Sequence, residues 1–365
     1  MFKLISTRKD GVRLGELKTA HGTLKTPFYM PDATRGFIKL SDTKEVLSSG
    51  TLAMVVNTFH LYLQPGMQVI KKAGGIHKFM NWPGPLLSDS GGFQVFSLIH
   101  RNKNLGKITD DKAIFKSPVD GSSHDLSPEK SIQIQFDLGV DMMVCLDDCP
   151  PNDFSREKLE VAVERTIAWA KRCKIEYLKQ IKKRKLTGLK RPLLFAVVQG
   201  GAEIDLRKHC ADELAKIGFD GYGFGAMPVD SKGNFLFEVL EKTASFIPKN
   251  ALRFALGVGT PEDIIVCAKM GWDMFDCVIP TREGRHGKLF FSQGKAVKSL
   301  NINNARFALD FTKISKDSNI DGLKNYSKAY LKHLFQLKEV LGQKLASLNN
   351  LEFYQVLMKR IRAGK

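Results

Sequence analysis

Two carboxylates stand out by their neighbours. Asp89 opens the string Asp89-Ser90-Gly91-Gly92-Phe93-Gln94, and Asp276 lies in Met274-Phe275-Asp276-Cys277-Val278, with Arg282 and Arg285 just downstream. Two glycines after a carboxylate give backbone that can approach a planar ligand closely and present amide donors to it. A pair of carboxylates can divide the work of displacement at a sugar carbon, one attacking and the other moving protons, as in retaining glycoside chemistry. The arginines are suited to flanking phosphates. Asp147 and Gln199 can read a nucleobase edge, the carboxylate accepting from ring N–H and amino groups while the amide both donates and accepts.

These residues share a position: each ends a short apolar run. The runs are Phe28 to Met30, ending at Pro31-Asp32; Leu52 to Val56, ending at Asn57; Pro85 to Leu87, ending at Ser88-Asp89; and Met142 to Leu146, ending at Asp147-Asp148. Four more lie further along the chain: Leu193 to Val198 before Gln199, Tyr222 to Phe224 before Gly225, Phe254 to Leu256 before Gly257, and Met274-Phe275 before Asp276. Helical patterns lie between several of them, such as Arg156 to Ile181, where Leu159, Ala162, Val163, Thr166, Ile167, Ala170 and Cys173 keep a 3.6-residue period. Eight strands alternating with helices over about 250 residues predict a (β/α)8 TIM barrel, with polar strand ends gathered on one face as the active site. A single strand-end Asp is more often a turn former; eight polar ends in succession weaken that alternative. From Thr281 the rhythm stops. Residues 281–365 read as an appended, basic, mainly helical subdomain after a barrel of residues 1–280, with helical patterns over Tyr326 to Leu345 and Leu351 to Ile361.

The chain has 365 residues, 43% of them hydrophobic, and a formal net charge of +18, which implies an anionic partner such as nucleic acid or an acidic membrane surface. Residues 281–365 hold 17 Lys and Arg against six Asp and Glu, so the surplus is concentrated beyond the last strand, where it could hold a phosphate backbone at the barrel mouth. A second run from Lys179 to Arg191 precedes the strand at Leu193 and reads as a solvated loop on the opposite face. No apolar run reaches the roughly 20 residues of a membrane span, and the start lacks an apolar leader, which predicts a cytoplasmic protein. The six cysteines are too irregular for a disulfide framework and read as reduced thiols. Cys145 and Cys149 have no second Cys/His pair at ligand spacing, so no metal is expected. His60 reads as a structural imidazole, and Trp82, Trp169 and Trp272 as core.

In these strings the chain resembles the queuine tRNA-ribosyltransferase family, the tRNA-guanine transglycosylases, in its bacterial form. The likeness runs through Asn57-Thr58-Phe59-His60-Leu61, Ser88 to Gln94, Val198-Gln199-Gly200-Gly201, Phe219-Asp220-Gly221-Tyr222, Gly257-Val258-Gly259-Thr260-Pro261, Met274 to Cys277 and Asn325 to Tyr330. The resemblance implies that Asp276 is the nucleophile on the anomeric carbon of the wobble guanosine and Asp89 the general acid/base. It implies that Phe93 and Leu256 sandwich the base, that Asp147 and Gln199 read its edges, and that Gly225, Ala226 and Met227 form the pocket's backbone segment. Arg282 and Arg285, with His286 beside them, would contact the anticodon-loop phosphates of tRNA. Extruding a base from a single-stranded loop should cost only a few kcal/mol.

Two departures carry expectations of their own. The family's zinc ligands, three cysteines and a histidine, correspond to Ser318, Ile320, Leu323 and Asn349, which cannot form a tetrahedral site, so a zinc-free protein is expected, its homodimer interface altered. In the segment Gly225 to Ser231, Ala226 stands for a second glycine, Pro228 stiffens the loop, and the glutamate of the bacterial pattern is replaced by Ser231. Val229 keeps the bacterial bulk, which favours 7-aminomethyl-7-deazaguanine as the incoming base over queuine or the cyano precursor. A non-catalytic tRNA-binding subunit is the alternative of another class; in the eukaryotic pair that subunit lacks the nucleophile and keeps zinc, the reverse of the pattern here. The string Asp32-Ala33-Thr34-Arg35 departs from the family without an evident reason.

Overall fold

The computed structural model describes residues 1–151 and 154–364; Lys365, the last residue of the expected C-terminal segment, lies outside the described residues. The eight apolar runs form eight parallel strands: β1 (Phe28–Pro31), β2 (Met54–Asn57), β3 (Leu86–Asp89), β4 (Met142–Val144), β5 (Leu193–Val198), β6 (Gly221–Phe224), β7 (Leu252–Ala255) and β8 (Met274–Cys277). They hydrogen-bond in the order β1-β8-β7-β6-β5-β4-β3-β2. A parallel bridge between Asp32 and Val55, with the Ala33 amide donating to the Val55 carbonyl at 2.7 Å, joins the first strand to the second and closes the barrel. The string for which the sequence offered no reason is therefore the closing seam.

The strands are apolar on both faces because both are buried. Leu193, Phe195 and Val197 of β5 point into the barrel with Phe28, Met30, Val144 and Phe254, while Ala196 and Val198 face the surrounding helices. Gly221 on the neighbouring strand makes room for this packing: a Cβ there would lie 2.3 Å from the Phe195 ring. Around the barrel, helix Arg156–Arg184 buries the predicted stripe, with Leu159, Ala162, Val163, Thr166, Ala170 and Cys173 all inside.

Three antiparallel sheets were not anticipated, one of them the hairpin after β8 described below. Phe2–Thr7, Arg13–Thr19 and Gly22–Thr26 form a second, which places Leu17 and Leu24 in the same cluster as the barrel interior. Gly106–Ile108, Ala113–Lys116 and Ser123–Leu126 form the third, after helix Gly92–Arg101.

After β8 come a helix (Ile279–Arg285), a hairpin (Lys288–Gln293 and Ala296–Asn301) and helices Asp321–Asn325, Lys328–Gln336 and Val340–Ala363. The helical patterns at 326–345 and 351–361 are corrected here: the break falls at residues 337–339, where Lys338 takes a φ of +58°, and residues 346–350 lie inside one continuous helix. Polar Ser347, Asn349 and Asn350 disguised that stretch as a break, yet all three are buried and hydrogen-bonded. The last helix is bound into the barrel. Tyr354 donates to the Gly259 carbonyl at 2.6 Å, and the Asn350 amide donates to Pro280 and Lys288 carbonyls, each at 2.9 Å. Gly284 allows the close crossing, since a Cβ there would lie 2.7 Å from the Ser347 backbone. Among the described residues no helix is long and apolar enough to cross a membrane.

Candidate active site

The C-terminal ends of the strands enclose a cavity of about 210 Å³, lined by Asp32, Asp89, Phe93, Asp147, Leu256 and Asp276, with the backbone segment Gly225-Ala226-Met227 as one wall. Strand ends scattered over 245 positions, from Asp32 to Asp276, thus converge on one space.

Asp89 is held by three donors. The Asn57 side-chain amide reaches one oxygen at 2.5 Å, and the backbone amides of Thr58 and Gly91 reach the other at 3.2 and 3.1 Å. The paired glycines therefore serve the carboxylate and its helix rather than offering free amides to a ligand. The Gly91 amide is spent on Asp89, the Gly92 amide on the Ser90 hydroxyl, and a Cβ on Gly91 would lie 2.8 Å from the Phe59 nitrogen. Asp276 accepts from the Gly257 amide at 3.0 Å, presented by a turn in which Gly257 takes a φ of +73°. Asp32 is bonded to the Thr34 hydroxyl at 2.7 Å and forms a third carboxylate in the same space.

Burial dominates the ionisation of all three. It raises Asp89 to about 8, with the negative charge of Asp32 adding to the rise against the backbone donors. It raises Asp276 to about 7, where the Gly257 amide opposes and Asp32 again raises. Asp32 is itself raised by burial, against its Thr34 bonds. Near neutrality one carboxylate can therefore be charged while another holds a proton, the division that nucleophile and acid require.

Asp147 accepts from the Gln199 amide at 2.7 Å, and burial lifts it to about 6 despite that bond. Gln199 is fully buried behind Asp147, beneath Gly225; a Cβ on Gly225 would lie 2.5 Å from its amide nitrogen, and its Oε1 has no hydrogen-bond partner. Beneath both loops lies Arg207, fully buried. Its guanidinium donates to the carbonyls of Gly201 at 2.6 Å, Val198 at 3.1 Å and Gly225 at 3.0 Å, and it sits 4.0 Å from the Phe224 ring centroid. Burial lowers it to about 9.

The whole of this arrangement falls within a match to the family model described as queuine tRNA-ribosyltransferase, which spans residues 9–364. The chain is 42% identical over its full length to the queuine tRNA-ribosyltransferase of Halothermothrix orenii, covering 92% of that protein. It is 43% identical to that of Caldanaerobacter subterraneus over 96% of this chain and 89% of the relative, and 42% identical to that of Staphylococcus aureus over 97% and 89%. The chain belongs to the queuine tRNA-ribosyltransferase family.

Against the family pattern, the substrate segment shows a physical departure. Ala226 takes a φ of +78°, a conformation glycine adopts freely and an L-residue does not. Val229 forms an antiparallel bridge to Phe235, and Ser231 is exposed. Arg282 and Arg285 lie on the helix directly after β8, with His286 at its end; Arg282 is 3.6 Å from Glu283, and burial and the Arg282 charge lower Arg285. At the four positions where the resemblance implies a zinc site in relatives, the Ser318 hydroxyl accepts from the Ile320 amide at 3.0 Å and the Asn349 amide donates to the Phe290 carbonyl at 3.0 Å. Leu323 is fully buried, and Ile320 packs against the same cluster. Two aliphatics, a hydroxyl and an engaged amide do not fit a tetrahedral zinc.

Three features escaped sequence reasoning. Asp32 stood in plain view at a strand end, so position alone could have nominated it. Arg207, on helix Ile204–Ile217, reads as an ordinary surface arginine, and nothing in its neighbourhood signals burial. The Asn57-Thr58 cradle pairs with Asp89 only because β2 lies beside β3, Asn57 opposite Asp89.

Proposed function

We propose that this enzyme, a pentosyltransferase of the tRNA-guanine transglycosylase type in queuosine synthesis, works through a covalent Asp276–ribosyl tRNA intermediate and inserts 7-aminomethyl-7-deazaguanine. The observation that carries the mechanism is the placement of Asp89 and Asp276 on one base-sized cavity at the barrel mouth, with ionisations of about 8 and about 7. The Asp276 carboxylate attacks the anomeric carbon as the bond to guanine N9 breaks, and protonated Asp89 supplies a proton to the departing base. Asp89, now charged, takes a proton from the incoming base, whose ring nitrogen attacks the same carbon and displaces Asp276. Two inversions give net retention.

Phe93 and Leu256 flank the base, Asp147 and Gln199 recognise its edges, and Arg282, Arg285 and His286 receive the anticodon-loop phosphates. Support for the edge readers is chemical: Asp147 offers acceptors and Gln199 has an unpaired polar atom. The proposal includes a cytoplasmic protein with no zinc at Ser318, Ile320, Leu323 and Asn349. It also includes a homodimer, supported by the exposed apolar side chains Leu309, Phe311, Leu337 and Val340 of the C-terminal segment.

The test is guanine exchange into tRNA together with a denaturation-resistant tRNA adduct, offered the aminomethyl base, the cyano base and queuine in competition. Asp276→Ala should abolish the adduct and lower exchange by about 10³-fold or more, while wild type selects the aminomethyl base. Undiminished exchange in the variant would refute the mechanism, and preference for another base would refute the substrate assignment.

A further inference from the structure

At the opposite end of the barrel, three side chains from three separate elements meet. His21 lies in the turn between strands Arg13–Thr19 and Gly22–Thr26, His77 on helix Ile76–Met80, and Asp141 immediately before β4. His21 Nδ1 is 2.9 Å from Asp141 Oδ1, His77 Nε2 is 3.3 Å from Asp141 Oδ2, and the three ligand atoms lie within 4.8 Å of one another. Ligands about 2.0–2.1 Å from a tetrahedral zinc are separated by roughly 3.3 Å, so these spacings are close to those of a coordination shell.

The surroundings prepare the ligands. His77 Nδ1 donates to the Trp82 carbonyl at 3.1 Å, which turns the Nε2 lone pair toward Asp141. That buried Nε2 faces the Asp141 carboxylate at 3.3 Å without the alignment of a good hydrogen bond. Asp141, 1% exposed, is fixed by the Leu86 amide at 3.0 Å. The His21 and His77 rings are stacked with centroids 3.6 Å apart, which brings both imidazoles to the same carboxylate. Two imidazoles and one carboxylate suit a borderline divalent ion. His21 and His77 border a surface cleft that also includes Thr43, Lys44, Lys78 and Trp82, through which solvent reaches the two imidazoles.

We propose that His21, His77 and Asp141 bind a zinc-class divalent cation that ties the N-terminal hairpin to the floor of the barrel. The site is independent of the four C-terminal family positions and of the reaction. Positions 21, 77 and 141 have no ligand spacing in the sequence and meet only in the fold.

The experiment uses the full-length chain, stripped with chelator and titrated with zinc by calorimetry and with cobalt(II) by visible absorption. Wild type should bind one equivalent of zinc, give the absorption of four-coordinate cobalt, and melt at a higher temperature with zinc present. His21→Gln, at a half-exposed turn position, should stay folded by circular dichroism, lose zinc affinity by about tenfold or more, and lose the thermal shift; His77→Gln should behave alike. Absence of zinc uptake by wild type, or uptake undiminished by His21→Gln, would overturn the proposal.

Discussion

Asp89 and Asp276 have one chemistry and two assignments, separated by their settings. In the proposed mechanism Asp276 must be charged to attack, so kcat/KM should rise as pH passes about 7. Asp89 must hold a proton to release guanine, so the rate should fall as pH passes about 8, giving a bell whose limbs belong to the coupled pair. Because the charge of Asp32 raises both groups, Asp32→Asn should move the whole bell to lower pH. A pH–rate profile of the two proteins checks this; a bell unmoved by the substitution would remove Asp32 from the electrostatics. Ala226 offers a different kind of test. Its left-handed backbone costs about 1 kcal/mol that glycine would not incur, so Ala226→Gly should stabilise the fold by about that amount in urea denaturation. If stability falls instead, the methyl group contributes packing that outweighs the strain.

The elements were legible to different degrees, for physical reasons. Each barrel strand announces itself as an apolar run stopped by a polar residue, because burial on both faces and exposure at the mouth impose that pattern directly. The N-terminal sheet escaped because it is half exposed and carries polar alternation, Leu17 and Leu24 being its main share in the barrel interior. In the final helix, burial on nearly every side replaces an amphipathic stripe, so Asn349 and Asn350 read as a break. Asn350 instead joins that helix to the segment after β8, accepting from the Phe290 amide at 2.9 Å and donating to Pro280 and Lys288. Asn350→Leu would remove three buried side-chain hydrogen bonds to backbone groups, and a loss of about 2–4 kcal/mol is expected in denaturant titration. The helix bearing Arg282 and Arg285 should loosen with it, raising KM for tRNA more than it lowers kcat.

Over the molecule, charge and cavity have separate jobs. Most of the +18 net charge lies past β8, beyond the mouth that Asp89 and Asp276 line, so in the proposed function phosphate attraction and base chemistry act on neighbouring parts of one ligand. Binding to tRNA should weaken linearly on a log–log plot against salt. Arg282→Ala and Arg285→Ala should each reduce the slope by about 0.7–0.9, the value of one phosphate contact; slopes equal to wild type would take those arginines off the RNA. The chain's composition and strand-end pattern were enough to establish a basic (β/α)8 protein with carboxylates at its active face, because solvent, burial and periodicity act on each residue locally. Which carboxylates share a cavity, how far burial lifts them, that Arg207 lies under two loops, and that His21, His77 and Asp141 meet at all required the folded chain. Those properties depend on distances between residues far apart in sequence, and barrel closure alone sets those distances.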